Sequence, residues 1–382
     1  MKQCSKYAFL LFSIATLLHS PGDVGYARTM TTYKDAGVDI EAGDRASGAA
    51  YAHAASTFAS RKGMIGEPVY EEGGFAGFLD MGDYYLVQTD DGTGSKIDIA
   101  LKAGQCKTLG SDLLAMVADD AVCTGAEVIS LSNTLDVPKV DAKLVDDLLS
   151  GLAKACSAQK IVIPAGEIAE VPGGVTGAVW SATSVGIVEK DRVIRGDRVA
   201  IGDIVIALRE TGARSNGFSL IRTILEQHLG ATWPATIWQG STTWGDAVLT
   251  PSVVYHAAVL ALTGRYQSER SIDVHGVSHI TGGGIPSKFR RILKKTGLGA
   301  EMTDLWEPVA WLSEIAEMGD VSLEEQYRTW SMGNGMLLIV PPAQADRALE
   351  LLNKEHVEAK RAGVITQDPA IVIRTGKGEV RV

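Results

Sequence analysis

A chain of 382 residues with 46% hydrophobic content is long enough for two or three cores and reads as an ordinary soluble globular protein of two domains. A formal net charge of −10 argues against a nucleic-acid backbone as the main partner, because no lysine or arginine cluster is dense enough to offset repulsion. A metal-chelated nucleotide stays compatible with that charge. Cys4, Cys106, Cys123 and Cys156 lie far apart, with no CxxC pair and no histidine at zinc spacing, and read as reduced, mostly buried thiols.

In chain order, Lys2 and Lys6 precede the apolar run from Tyr7 to Leu18, and Gly25-Tyr26-Ala27 offers a small-residue cleavage site. The run is too short to span a bilayer comfortably, so no permanent membrane anchor is expected. Residues 1–29 are either a cleaved leader or an extension upstream of a start at Met30. Beyond Met30 strands and helices alternate. Leu86-Val87-Gln88 predicts a buried strand that runs into Asp90-Asp91-Gly92-Thr93-Gly94-Ser95-Lys96. Glycine lets backbone N–H groups approach a polyanion closely, and an acid beside it can hold a divalent cation. The P-loop fails on spacing because Ser95 separates Gly94 from Lys96. A plain Asp-Gly hairpin turn is the alternative.

Apolar residues at helical spacing predict a helix over 111–124, with Asp119-Asp120 near its end. A paired acid on an apolar helix is costly unless a cation compensates it, and the bland reading is an exposed polar face. Asp112 could cap this helix. Ile161-Val162-Ile163 predicts a second buried strand, followed by Gly166-Glu167-Ile168-Ala169-Glu170. Asp91, Asp120 and Glu167 together would form a hard-oxygen magnesium site for a nucleotide. A strand over 183–188 and the charged connector 190–197 lead to a boundary near Gly196 to Gly202. The second half opens with a strand over 203–208 and the turn Arg214-Ser215-Asn216-Gly217. Ser215 or Asn216 is a candidate cap for a helix from about Phe218 to His228. His275 and His279 have the spacing of helical zinc ligands, but no glutamate completes an H-E-x-x-H motif. A place beside Thr281-Gly282-Gly283-Gly284 in substrate or phosphate contact suits them better, with a simple buried histidine as the alternative. A strand over 336–340, a helix over 343–352 and a last strand around Ile371-Val372-Ile373 complete an α/β (α+β) layout.

The motifs Tyr33-Lys34-Asp35-Ala36-Gly37-Val38-Asp39-Ile40, Gly73-Gly74-Phe75, Asp91 to Lys96, Asp112 to Asp120, Gly166 to Gly173, Ser215-Asn216-Gly217, His279 to Gly284 and Tyr327-Arg328-Thr329 occur in the order seen in the phosphoribosylformylglycinamidine cyclo-ligase family. The chain resembles that family from about Tyr33 to its C-terminus. The resemblance implies a two-domain aminoimidazole ribonucleotide synthetase-like fold of mixed sheets packed with helices. An ATP- and metal-binding, dimerising domain would span 30–196 and a synthetase domain 197–382. It also implies a cytoplasmic homodimer that uses ATP and Mg2+ to close formylglycinamidine ribonucleotide to aminoimidazole ribonucleotide. ATP would phosphorylate the formyl amide oxygen, the amidine nitrogen would attack the activated carbon, and phosphate would leave.

By that resemblance Asp91, Lys96 and Asn216 are the catalytic candidates. Lys34, Gly92, Gly94, Lys96, Thr281, Gly282 and Gly283 are candidates for ATP, and Asp91, Asp120 and Glu167 for the metal. A cytoplasmic family whose signature begins just past Met30 favours the start at Met30. Four departures stand out: Arg214 replaces the histidine of the family's His-Ser-Asn-Gly, Ala165-Gly166-Glu167-Ile168 its Gly-Gly-Glu-Thr, Asp119-Asp120 its Asn-Asp, and Asp90-Asp91-Gly92 its Thr-Asp-Gly. Arginine binds phosphate but is a poor acid or base near neutral pH. Relatives in the superfamily, such as thiamine-phosphate kinase, selenophosphate synthetase or a hydrogenase-maturation dehydratase, share the acids but are disfavoured by the Tyr33 and Tyr327 motifs. An exported small-molecule binding protein, suggested by the leader-like start, would not need converging carboxylates.

Overall fold

The computed structural model describes residues 32–70 and 74–382. The leader-like run, Met30 and Gly73 lie outside the described residues. Among the described residues no helix is long and apolar enough to cross a membrane.

The first element among the described residues is α1 (Ile40–Ser56), capped by the Asp39 side chain on the Ala42 N–H. A six-stranded sheet follows, built from β1 (Glu67–Val69), β2 (Gly77–Asp80), β3 (Tyr84–Gly92), β4 (Glu127–Val137), β5 (Val162–Glu170) and β6 (Val179–Glu189). Its order is β1-β2-β3-β6-β4-β5, antiparallel throughout except for the β4·β5 pair. Helices α2 (Lys96–Ala103), α3 (Leu109–Val122) and α4 (Ala142–Gln159) interrupt it.

The second half holds a seven-stranded mixed sheet of β7 (Ile204–Arg209), β10 (Gly276–His279), β11 (Gly299–Met302), β12 (Asn334–Val340), β13 (Ala359–Thr366), β14 (Ile371–Thr375) and β15 (Gly378–Arg381), in the order β10-β12-β7-β13-β11-β14-β15. A small hairpin pairs β8 (Ile237–Gln239) with β9 (Thr242–Thr243). The helices are α5 (Phe218–Leu229), α6 (Trp244–Val248), α7 (His256–Thr263), α8 (Gly284–Leu293), α9 (Ala310–Met318), α10 (Leu323–Thr329) and α11 (Ala345–Lys354). The α/β (α+β) expectation of mixed sheets packed with helices is met.

Helix α3 sets the position of the site. Leu113 to Ala118 are all buried, so its acids do not form the exposed polar face that a lone amphipathic helix would show. Its neighbours are β3, β6 and α4 from the first half and α7 and β10 from the second.

Four local expectations need correction. Strand β5 is not buried: it pairs only with β4, and Val162 is 62% exposed. Neither Ser215 nor Asn216 caps α5, because the cap position belongs to Gly217, whose φ of 74° is left-handed and which contributes no side chain. Asp112 is no cap but lies inside α3, paired with Lys96. Finally, β14 is followed by β15, which completes the sheet edge.

Candidate functional site

Two groups of charged side chains lie between the halves, and α3 contributes to both. The first is a dry seam. Asp112 and Asp119 are seven residues apart on α3, two turns, so they share one face; both are fully buried. Asp112 Oδ1 accepts from Lys96 Nζ at 2.7 Å, from the Ser252 N–H at 3.0 Å and from the Ser252 hydroxyl at 2.5 Å. Lys96 Nζ also donates to the carbonyls of Arg214 (3.1 Å) and Thr250 (2.8 Å). Asp119 accepts from Arg214 Nη2 at 2.7 Å and from the Tyr255 N–H at 2.9 Å. Arg214 Nη1 donates to Glu210 Oε2 at 2.8 Å and to the Val253 carbonyl at 3.1 Å. Burial works against the guanidinium charge, but Asp119 and Glu210 hold its pKa above the usual arginine range.

This geometry corrects the expectation for Lys96. An ammonium has three N–H donors, and all three are committed inside the protein, with the side chain fully buried. Lys96 therefore joins the two halves and is not aimed at a phosphate.

The second group lines the cleft. Asp91 ends β3, and burial pushes its carboxyl up to about 6; the Gly92 N–H at 2.7 Å and Lys288 oppose the rise, and the charge of Asp120 adds to it. Asp120 is also pushed up to about 6 by burial, against the pull of Lys288, Arg291 and Arg214. From the other half, His279 at the end of β10 places Nδ1 2.7 Å from Asp120 Oδ1. Burial, with Arg214 and Lys288 nearby, holds the His279 pKa well below its usual value. The neutral ring then donates from Nδ1 to the carboxylate, a tautomer assigned from this contact. Its Nε2 is buried without a hydrogen-bond partner.

The glycine-rich turn caps α8 just beyond His279. Gly284 has φ of 57°, and a Cβ there would sit 1.8 Å from the Tyr327 carbonyl oxygen, so only glycine fits. Gly217 is held in the same way: its Cβ would lie 2.3 Å from Trp330 Nε1. The 327–330 segment thus braces both turns from behind. Asn216 stands beside the Thr281–Gly284 turn, its Oδ1 3.3 Å from the point a Gly282 Cβ would occupy. Across the cleft, Ser95 Oγ lies 3.3 Å from Ser219 Oγ. The Tyr33-Lys34 signature docks on this side too, through the Tyr33 N–H to Glu325 at 2.9 Å. Lys34 itself is exposed and pairs with Asp39 at 2.9 Å.

Glu167 is not part of this group. Asp91 stands opposite Ala182, Asn133 and Gly166 across the sheet, whereas Glu167 shares its row with Thr134, Ser181 and Gly92. Adjacent rows point to opposite faces, and three strand spacings of about 4.8 Å separate β3 from β5. Asp91 turns toward α3; Glu167 lies on the open face with Asp90, Ser181 and Thr183. Among the described residues no three His, Cys, Asp or Glu side chains converge as a metal site. The pair Asp91 and Asp120 nevertheless fits a divalent cation, since both are oxygen donors and the charge of Asp120 works against ionising Asp91. Water and phosphate oxygens would have to complete the coordination shell.

The sequence reading also missed Lys288 and the His279–Asp120 contact. Lys288, Arg290 and Arg291 were visible as a basic run directly after the glycine turn in an acidic protein. The hydrogen bond, by contrast, joins residues 159 positions apart. Strand β10 also disposes of helical zinc spacing: four residues along a strand span about 13 Å, and His275 Nδ1 goes instead to Asp203 at 2.7 Å.

Known proteins agree with this arrangement. Residues 73–188 match the AIR synthase related protein N-terminal domain, and residues 200–376 the corresponding C-terminal domain. The chain is 35% identical to a phosphoribosylformylglycinamidine cyclo-ligase of Thermococcus kodakarensis over 90% of its length and 97% of that protein's. The chain belongs to the phosphoribosylformylglycinamidine cyclo-ligase family. Another cyclo-ligase, from Rippkaea orientalis, is 34% identical over 91% of this chain and 98% of that one. The chloroplastic cyclo-ligase of Arabidopsis thaliana is 33% identical over 89% and 82%. Among solved structures, Thermotoga maritima PurL complexed with FGAR matches with TM-score 0.56 and 16% identity over 85% of this chain and 49% of that chain. Hydrogenase maturation protein HypE in complex with ATP matches with TM-score 0.54 and 18% identity over 78% and 84%. These two likenesses bear on the fold, which the cyclo-ligase family thus shares with them.

Proposed function

We propose that this chain catalyses the ATP-dependent closure of formylglycinamidine ribonucleotide to aminoimidazole ribonucleotide, releasing ADP and phosphate in purine biosynthesis. Family membership supports the reaction, and one structural observation carries the site: Asp120, whose charge acts on Asp91, stands 2.7 Å from His279, and the glycine turn of α8 follows directly on that histidine. Asp91 and Asp120 would hold Mg2+ with water and ATP oxygens. When bound, the ion neutralises charge on the phosphates as the phosphoryl group moves.

The remaining steps fall to the chain's own groups. The Gly94 backbone approaches phosphate from the first half, whereas the Gly92 N–H, expected at phosphate, is taken up by Asp91 Oδ1 at 2.7 Å. Thr281, Gly282 and Gly283 present the N-terminus of α8, where N–H groups and the helix dipole favour an anion. Asn216, beside that turn, orients the substrate side, and Lys34 approaches a phosphate from the docked N-terminal segment. Residues 30–196 supply the metal and nucleotide side and 197–382 the substrate side. Attack by the amidine nitrogen on the formyl carbon, whose oxygen carries the phosphoryl group, then breaks that carbon–oxygen bond and expels phosphate, with bond making and breaking confined to the two substrates.

We place the enzyme in the cytoplasm as a homodimer. Strand β5 supports the dimer, since it is paired on one side only and its neighbourhood exposes Val162, Ile168 and Val179. Light scattering on the purified chain tests this: a mass of one chain would refute it. The function is tested by ADP and phosphate release from ATP. Release that depends on formylglycinamidine ribonucleotide supports the cyclo-ligase; tight binding of a ligand without hydrolysis would favour a binding protein instead.

A further inference from the structure

Asp119 and Arg214 lie 95 residues apart in the chain and are in direct contact, Arg214 Nη2 to Asp119 Oδ2 at 2.7 Å. Neither contact nor burial leaves Arg214 facing a ligand. Its side chain is fully buried, its two terminal nitrogens donate to Asp119, Glu210 and the Val253 carbonyl, and its Nε is enclosed by protein. Its backbone has φ of 55°, left-handed for a residue that bears a Cβ. That conformation turns the side chain inward at the start of the segment that presents Ser215 and Asn216. On the other side, Asp119 directly precedes Asp120 on the last turn of α3.

We propose that Arg214 and Asp119 form a latch between the two halves that sets the Asp120 carboxylate against Asn216 and the glycine turn of α8. Arg214 is a positioning residue and carries no proton in the reaction. The latch is specific in geometry. A guanidinium fork reaches two carboxylates at once, Asp119 from the first half and Glu210 from the second. Asp119 in turn fixes the Tyr255 N–H, and Arg214 the Val253 carbonyl, so the 253–255 segment is tied to α3 from both ends. Its neighbours in the seam, Lys96 and Asp112, hold Thr250 and Ser252 in the same way.

The test is a cycle of Arg214→His, Asp119→Asn and the combined variant in the full chain. Histidine tolerates the left-handed backbone better than most residues. The catalytic readout rests on the cyclo-ligase reading; an exchange readout does not. Arg214→His alone strands two buried carboxylates. Displacements of about 1 Å cost up to roughly 100-fold in rate, so kcat should fall at least about tenfold. The assay is run where circular dichroism shows full folding, and KM for ATP and substrate should change less than about threefold. Asp119→Asn, which leaves Arg214 paired with Glu210, should fold and lose kcat in the same sense.

The combined variant should recover most of the Arg214→His loss, a non-additivity expected only of coupled residues. Amide exchange over 250–255 should speed up in Arg214→His and slow again in the combined variant. Wild-type kcat in Arg214→His, or losses that simply multiply in the combined variant, would overturn the latch. If Arg214→His does not fold, unchanged kcat in Asp119→Asn overturns it equally. If the wild-type chain does not turn over, the cyclo-ligase reading falls, and unaltered exchange over 250–255 is the result that refutes the latch.

Discussion

The seam and the cleft are built from the same residue type, aspartate on or beside α3, with opposite outcomes. Asp112 and Asp119 lie in the dry interior, and each is matched to a cation within 2.7 Å and to backbone N–H donors. Asp91 and Asp120 border the cleft, held by the Gly92 N–H and by His279 Nδ1, and burial raises both to about 6, as it raises Asp119 to about 7. The difference is therefore one of access rather than of titration. Asp112 and Asp119 are closed off with their cations inside the protein and hold the fold, whereas Asp91 and Asp120 are partly exposed and can be reached by an external cation. Only one peptide bond separates the two outcomes at Asp119 and Asp120.

That contrast can be broken from the structural side first. Lys96→Met removes the cation from Asp112 and leaves a buried charge, so chemical denaturation should show a loss of about 3–5 kcal/mol. A variant as stable as wild type would mean that the seam does not hold the halves together. From the cleft side, Asp120→Asn should lower turnover by about 100-fold, on the scale of losing a group that stabilises transferring charge. Its thermal midpoint should hold or rise, because a carboxylate with raised pKa costs folding energy when ionised. An active variant would remove Asp120 from the metal role.

The same shifts set a pH dependence. An acid whose folded pKa of about 6 exceeds its unfolded value of about 3.9 binds more protons when folded between those values. The contribution of these two carboxyls to fold stability therefore declines as pH rises from about 4 to about 6 and is level above, and it is read as the difference between wild type and the Asp91→Asn and Asp120→Asn variants. Cation binding runs the other way. Affinity for a magnesium nucleotide should be constant above pH 7 and weaken by up to about tenfold per pH unit, per carboxylate that must lose its proton, below pH 6. Calorimetric titration across pH 5 to 8 measures it, and a flat profile would contradict it. The smallest effect expected is that of Glu167→Gln on stability, within about 0.5 kcal/mol for an exposed edge residue.

Much of this was legible in the sequence. The strand running into Asp91-Gly92-Thr93-Gly94, the glycine turn after His279 and the acids of α3 all announced themselves by type and spacing. What could not be read was direction. Alternation along a strand sends Asp91 and Glu167 to opposite faces, and their relative register depends on β4 and β6 lying between them. Lys96 stands in a motif that looks made for phosphate, yet its partners Asp112, Arg214 and Thr250 come from distant segments. Strand β5 carries an apolar run like a buried strand, and only its place at the sheet edge exposes it. Arg214 likewise meets its partner Asp119 only across 95 positions of chain, a pairing that no local pattern announces.

The central claim, that Asp91 and Asp120 hold the catalytic cation while Glu167 does not, is tested most directly by titrating Mn2+ into the full chain with a non-hydrolysable ATP analogue and following paramagnetic resonance. Asp91→Asn and Asp120→Asn should each weaken binding by at least about tenfold, the scale of removing one ligand-shell contact, and Glu167→Gln should bind like wild type. Equal weakening in Glu167→Gln, or wild-type binding in either aspartate variant, would contradict the account.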